Sequence, residues 1–450
     1  MSTVLDSALL PVYPPAPVTF VAGDGVWLTD SEGGRYLDFA AGIAVVGLGH
    51  RHPAPLAAAH AQLDRVWHVS NLYATEPDSA LAAKLSERFA SASEGDAVRG
   101  PGDGGFAAVA STLGAHAFFC NSGAEANEAA LKYARKATGR SGVIALERSF
   151  HGRTTGALSV TGQPAKRKAF EPLLPSVRFA HPNDAVSLRA AAGPDIGLII
   201  LEPVLGEGGV IPLEPEFLAA AAELAAEMGA LLALDEVQTG VGRTGAFFAW
   251  EQLGVRPQLV TLAKGLANGL PIGCLLVADE AVGAFTVGDH ASTFGGNPVV
   301  CAAAGAVVDT IDDALLANVR ATGERLRDGL RALPGILEVR GAGLLVGAEL
   351  AGPAQPVVDA ALAAGLVCLT SGANVLRLAP PHVVEPADVD RALEILAEVM
   401  ECTGTNGMPR CCGSSTSSRS RRRPSSPTRF GAPDTTSSRR RSRATSMSSG

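Results

Sequence analysis

Ala230–Gln238 reads ALLALDEVQ, five apolar residues followed by Asp235, Glu236, Val237 and Gln238. A short, continuously apolar run of this kind fits a strand buried on both faces of a sheet. Twenty-nine positions after Asp235, the stretch Gln258–Gly269 (QLVTLAKGLANG) runs out of apolar residues just before Lys264. An acid and an amine at the carboxyl ends of two strands of one open α/β sheet can face the same small molecule. Pyridoxal phosphate (PLP) needs that pair, a lysine for its Schiff base and an acid for its ring nitrogen. Taken alone, the two residues equally describe a surface lysine and a helix-capping aspartate.

The same buried-strand pattern recurs at Ala117–Cys120, Val143–Leu146, Ile196–Leu201 and Leu259–Leu262, with helical stretches between. Alternation of this kind predicts an α/β fold with a mostly parallel, doubly wound sheet. Before it, Leu10–Pro17 (LPVYPPAP) is a proline-rich extended arm. Val18–Phe39 reads as short strands with a turn at Ser31–Gly34, and Pro55–Ser91 as helix. Ser93–Gly105 is glycine-rich and polar, the composition of an exposed loop. Asp309–Glu401 reads as two Ala/Leu-rich helices around strands at Gly343–Leu350 and Val375–Leu378, a smaller α+β domain. The expected organisation is therefore an arm and part of the small domain over 1–60, a large domain over 61–308, the small domain over 309–402, and a tail over 403–450.

The 450 residues are 47% hydrophobic and 18% charged, enough for two domains with large cores. Seven cysteines without paired spacing argue against a disulfide framework and point to a reducing cytoplasmic setting. Met1–Phe20 lacks a basic region followed by an apolar run, so no secretion signal is expected. No stretch approaches ~18 uninterrupted apolar residues, so no membrane partner is expected either. Net charge is −8, yet the tail from Thr403 holds 10 Arg, no Lys and one Asp, a net of +9, which leaves −17 on the rest. With 13 Ser and little apolar clustering, the tail cannot offset its ordering entropy and is expected to be disordered. An arginine-rich nucleic-acid or membrane arm is the competing reading of that tail. No nucleic-acid partner and no metal is expected.

Four further motifs carry chemistry. Phe118–Glu128 (FFCNSGAEANE) leads from a strand through Ser122, Gly123 and Ala124 into a helix, whose free N–H groups suit a phosphate, or into an ordinary N-cap. Ser149–Arg153 (SFHGR) offers Phe150 to stack on a planar ring and Arg153 to grip a carboxylate at two points. His151 is given no role. Glu207 lies among glycines after Glu202-Pro203, as a functional acid or as a surface turn. Ser292 and Thr293 precede Gly295-Gly296, as phosphate or substrate donors or as part of a plain turn.

Together NSGAEANE, SFHGR, LEPVLGEGGV, LDEVQTGVGRTG, TLAKGLANGLPIG and STFGGNP resemble, in order and spacing, the class III PLP-dependent aminotransferases. LPVYPPAP, Phe39–Pro53, Trp67–Asn71 and Leu376–Pro381 look most like the acetylornithine aminotransferase group within it. The resemblance covers about Leu10–Val399 and implies the PLP-dependent transferase fold (type I). It implies that Lys264 and Asp235 are catalytic, as Schiff-base lysine and ring-nitrogen partner. Phe150 and Val237 would sandwich the ring and Gln238 would touch its phenolic oxygen. Ser122, Gly123 and Ala124 would hold the phosphate. Thr293 would reach the cofactor of a second subunit, giving a homodimer with shared sites. Arg153 and Ser292 would bind substrate, and Glu207 would pair with Arg377 when the amino donor is bound and release it for 2-oxoglutarate. The implied reaction passes the terminal amine of N2-acetylornithine to 2-oxoglutarate. Ornithine, succinylornithine or 4-aminobutyrate are the rival donors, with Tyr13 and Tyr73 expected near that end of the pocket. An inactive protein of the same fold is the rival of another class, and its signature would be loss of the lysine or the acid. Two departures stand out: Ala124, where the family often has threonine, and Ala267-Asn268, where many members have glycines.

Overall fold

The computed structural model describes residues 8–14, 17–92, 98–99 and 114–403. The expected loop at Ser93–Gly105, apart from Val98–Arg99, and the tail beyond Thr403 lie outside these residues. A seven-stranded sheet organises the molecule. Its order is Ala115–Cys120, Gly273–Ala278, Leu259–Leu262, Leu231–Asp235, Ile196–Leu201, Gly142–Leu146 and Val177–Ala180. All neighbours pair in parallel except Gly273–Ala278, which runs antiparallel to both of its neighbours. The strands Gly142–Leu146, Ile196–Leu201, Leu231–Asp235, Leu259–Leu262 and Gly273–Ala278 are buried along their whole length. That is why they appear in the sequence as unbroken apolar runs rather than alternating ones.

Helices cover both faces, and two apolar cores result. One packs Ile144, Leu201, Leu232, Leu234 and Leu262 with Phe217 and Leu218 of the helix Pro215–Met228. The other packs Val143, Leu198, Leu231 and Leu275 with Leu131 and Tyr133 of the helix Gly123–Thr138. Each fully buried leucine of this kind contributes roughly 1.5–3 kcal/mol.

A third core joins an early and a late segment of the described residues: Val26, Leu37 and Phe39 pack with Leu326, Leu376, Leu396 and Met400. Two small sheets frame it. Phe20–Asp24, Trp27–Asp30 and Arg35–Asp38 are extended by Leu366–Val367. Ile336–Ala342, Leu345–Leu350, Val375–Leu378 and Leu369–Ser371 form the second.

Four sequence-based expectations change. Pro55–Ser91 is two helices, Pro53–Leu63 and Glu76–Ala92, because the intervening residues 64–75 include the left-handed Ser70 (φ 69°). The C-terminal part has three helices, Asp313–Arg331, Gln355–Ala363 and Pro386–Thr403. Two sheet strands, Val177–Ala180 and Gly273–Ala278, do not stand out in the sequence. The first is short and half-buried, and the second begins at Gly273, so close after Pro271 that it reads as a turn. No helix among the described residues is long and apolar enough to cross a membrane.

Candidate active site

Asp235 ends its strand opposite Thr261 in the neighbouring parallel strand, and Lys264 follows three residues later. Strand register therefore puts the acid and the amine at one edge of the sheet. Between them lies a cavity of about 440 Å³ lined by Asp235, Lys264, Phe150, Val237, Gln238 and the Ser122–Ala124 turn, among others. This is the place where open α/β sheets hold ligands.

Lys264 opens a short 3₁₀ turn, Lys264–Ala267, in a left-handed conformation (φ 45°) that costs a non-glycine residue about 1–3 kcal/mol. The turn ends at Asn268 (φ 48°), whose side chain accepts from Leu48 N at 2.8 Å and donates to Gly49 O at 2.9 Å. The left-handed positions are thus Lys264 and Asn268, and Ala267 escapes the strain that its place in a usual glycine run threatened. Burial lowers the pKa of the Lys264 amine, Arg377 lowers it further, and Glu207, Asp235 and Glu202 oppose. The outcome favours the neutral, nucleophilic amine.

Asp235 is held by three donors. Its Oδ1 accepts Val237 N at 3.0 Å, and its Oδ2 meets Asn127 Nδ2 at 2.8 Å and His151 Nδ1 at 2.7 Å. Asn127 is fixed in turn, donating to His151 O and accepting from Thr261 Oγ1. His151 is 2% exposed and its Nε2 has no hydrogen-bond partner among the described residues. Burial works against its protonation, but the hydrogen bond and charge of Asp235, helped by Glu202, raise its pKa above the ordinary value. An Asp–His pair of this kind presents a carboxylate whose position cannot drift.

The phosphate side comes from the helix Gly123–Thr138. Ser122 is its N-cap, accepting Glu125 N on Oγ at 3.2 Å, and Gly123 and Ala124 are the first helical residues. Their N–H groups have no carbonyl four residues back to bond and point to the positive end of the dipole. A Cβ at Gly123 would lie 2.7 Å from Val237 Cγ1, and one at Gly152 2.7 Å from Ala124 Cβ. The backbone at both glycines is therefore packed tightly against residues of the cavity wall. A flat, cationic, phosphate-bearing ring fits these groups: acid at one end, helix N-terminus at the other, Phe150 and Val237 between.

Glu207 and Arg377 form an ion pair, and Arg377 Nη1 also lies 3.3 Å from Gln238 Oε1 of the cavity wall. Glu207 is pushed up by burial but pulled below the usual carboxylate range by Arg377. Arg153 lines the cavity, with its guanidinium 5.6 Å from the Phe150 ring. Ser292 and Thr293 do not line it. Ser292 Oγ accepts from Asn121 Nδ2 and from Gly295 N, and Thr293 is exposed. Tyr13 and Tyr73 are exposed as well, at 84% and 70%, and neither lines the cavity of its own chain. Asn127, His151, Glu202, Thr261 and Lys166 escape the sequence reading. Asn127 has one available signal, its place one helical turn after Gly123 on the same face. Lys166, 5.1 Å from the Phe150 ring, adds a second cation beside Arg153.

The profile of a family described as Aminotransferase class-III matches residues 11–400. An acetylornithine aminotransferase from Corynebacterium efficiens is 45% identical over 396 residues, covering 87% of this chain and 94% of the relative. Among solved structures, the N-acetylornithine aminotransferase of Stenotrophomonas maltophilia superposes with a TM-score of 0.71 at 34% identity, covering 86% of this chain and 96% of that one. The ornithine aminotransferase of Toxoplasma gondii reaches a TM-score of 0.78 at 29% identity, over 87% and 92%.

Proposed function

This chain belongs to the class-III aminotransferases, enzymes that use pyridoxal phosphate, and from that premise we propose that it transfers the terminal amine of N2-acetylornithine to 2-oxoglutarate. The products would be N-acetylglutamate 5-semialdehyde and glutamate, a step that serves arginine biosynthesis. The reading extends to a cytoplasmic homodimer in which Thr293 of each copy serves the other's phosphate. The boundaries 1–60, 61–308 and 309–402 for arm, large and small domains belong to the same proposal.

When bound, the cofactor supplies an electron sink for the carbon that loses its proton. Lys264, its amine made less basic by burial, would hold the cofactor and move that proton on and off the substrate carbon. Asp235, fixed by Val237 N, Asn127 and His151, would keep the ring nitrogen's proton in place. Gly123 and Ala124 N–H groups would grip the phosphate, with the Ser122 hydroxyl, which donates to Glu125 Oε2 at 3.4 Å, turning to join them. Phe150 and Val237 would cover the ring and Gln238 would meet its phenolic oxygen. Arg153, Ser292 and Arg377 would receive substrate, Arg377 only once Glu207 lets it go.

The Glu207–Arg377 pair, adjacent to Gln238 and close enough to Lys264 to perturb its amine, carries this reading. An arginine paired with a neighbouring acid that can release it can face a donor without a carboxylate there and an acceptor that has one. The named relatives support N-acetylornithine as donor, and the likeness to the Toxoplasma enzyme supports ornithine as a second reading. Coupled assays with acetylornithine, ornithine and 4-aminobutyrate, each with 2-oxoglutarate, compare kcat/KM directly. A preference for ornithine or 4-aminobutyrate overturns the proposed donor. Lys264→Ala should bind PLP without the visible absorbance of the lysine-bound form, and an unchanged spectrum would refute the lysine's role.

A further inference from the structure

Glu202 closes the strand Ile196–Leu201 at the edge of the cavity, 4% exposed. Its two carboxylate oxygens serve two different loops. Oε2 accepts Phe150 N at 2.8 Å, and Oε1 accepts Gly206 N at 3.3 Å. Phe150 carries an aromatic face into the cavity. Gly206 is a junction: its carbonyl accepts Arg377 Nη1 at 3.0 Å and Ser371 Oγ at 2.8 Å, and the next residue is Glu207. Gly206 also has no room to shift inward, since a Cβ there would lie 2.1 Å from Gln238 Oε1.

We infer that Glu202 is a positioning residue, which through its two oxygens ties the ring-covering Phe150 to the loop that holds Glu207 against Arg377. The inference rests on the proposed reaction only in giving Arg377 a carboxylate substrate. It assigns Glu202 no contact with substrate. A single buried acid that serves both loops couples the wall over the cofactor to the substrate gate, so that neither can move without loosening the other. Burial raises the Glu202 pKa to about 7, with Asp235 adding to the rise and His151 opposing it. Glu202→Gln keeps the shape and removes the charge, which makes it an informative variant. Its carbonyl oxygen can accept one of the two N–H groups, while its amide N–H₂ must face the other.

The test uses the PLP-loaded full chain. Glu202→Gln should keep its fold by far-ultraviolet circular dichroism and lose at least half of the visible dichroism of the bound cofactor. Its KM for 2-oxoglutarate should rise at least fivefold, while the KM for the amino donor changes less than twofold. Glu202→Asp, which keeps the charge but shortens the reach, should fall between the two. Visible dichroism and 2-oxoglutarate KM both within twofold of the parent would overturn the inference. So would loss of fold in both variants, which would leave Glu202 as core packing only. Failure of the proposed donor is distinguishable, since any active amine reports the 2-oxoglutarate KM. An enzyme that does not turn over 2-oxoglutarate at all defeats the reaction, while the dichroism still decides the role of Glu202.

Discussion

Asp235 and Thr261 stand opposite each other in adjacent parallel strands and share one amide, Asn127, which donates to the first and accepts from the second. The Asn127 nitrogen faces two acceptors, Asp235 Oδ2 and His151 O, and the Thr261 hydroxyl satisfies the amide oxygen that is left. Thr261→Val removes that donor while keeping the shape of the side chain. Asn127 Oδ1 then loses the donor that Thr261 supplies, while its nitrogen stays bound to Asp235 and His151 O. The buried amide would lose a partner at a cost of about 1–3 kcal/mol. We expect Tm to fall by a few degrees and the affinity for PLP to drop severalfold, measured by fluorescence titration of cofactor-free protein. Unchanged PLP affinity would show that Asp235 is held well enough by its other donors.

His151 gives a pH signature. Asp235 raises its pKa in the folded chain above the unfolded value of about 6.5, despite burial. A group with a raised folded pKa stabilises the fold fully below the unfolded pKa and loses that contribution as pH climbs through the folded one. His151→Leu should therefore lose more stability at pH 5.5 than at pH 8.5, relative to the parent. Urea unfolding of cofactor-free protein at the two pH values gives the comparison. A larger loss at pH 8.5 would mean that His151 is neutral in the fold.

The strand edge was legible because burial on both faces writes a strand as an uninterrupted apolar run, and Ile196–Leu201 and Leu259–Leu262 match the sequence reading residue for residue. Lys264 and Asp235 were legible for the same reason, since each sits where such a run stops. The groups that hold them were not. Asn127, His151 and Thr261 act through contacts between residues 10 to 134 positions apart, and no local period records such a meeting. Ala267 shows the complementary limit. It stands where many members of the family have glycine, yet the turn puts the left-handed conformation at Lys264 and at Asn268, whose side chain is bonded to Leu48 N and Gly49 O.

Gly123 is fixed by its neighbour across the cavity. A methyl group there would meet Val237 Cγ1 at 2.7 Å and Cγ2 at 2.8 Å, and β-branched Val237 has few rotamers to retreat into. Gly123→Ala should destabilise by about 1–3 kcal/mol through overpacking and weaken PLP binding as the helix N-terminus moves back. Val237→Ala clears the space, so Gly123→Ala should cost much less in that background. Thermal melts and PLP titrations of the four proteins form the double-mutant cycle. Additive losses would mean that the two residues do not meet in the folded enzyme.

Arg377 separates the two half-reactions. It is 4% exposed, paired with Glu207, and held by Gly206 O, so its guanidinium has a fixed plane. A planar fork can take a carboxylate at two points, whereas a lysine ammonium offers one centre of charge. Arg377→Lys keeps the charge and the partner of Glu207 but forfeits the fork. While the amino donor is bound, Glu207 still neutralises the cation, so the donor half-reaction should change little. While 2-oxoglutarate is bound, the lost bond should raise its KM by tenfold or more, worth about 1.4 kcal/mol. Stopped-flow single-turnover measurements of each half-reaction separate the two effects. Equal losses in both halves would place Arg377 in general scaffolding, and a loss confined to the donor half would reverse the assignment of which substrate it grips.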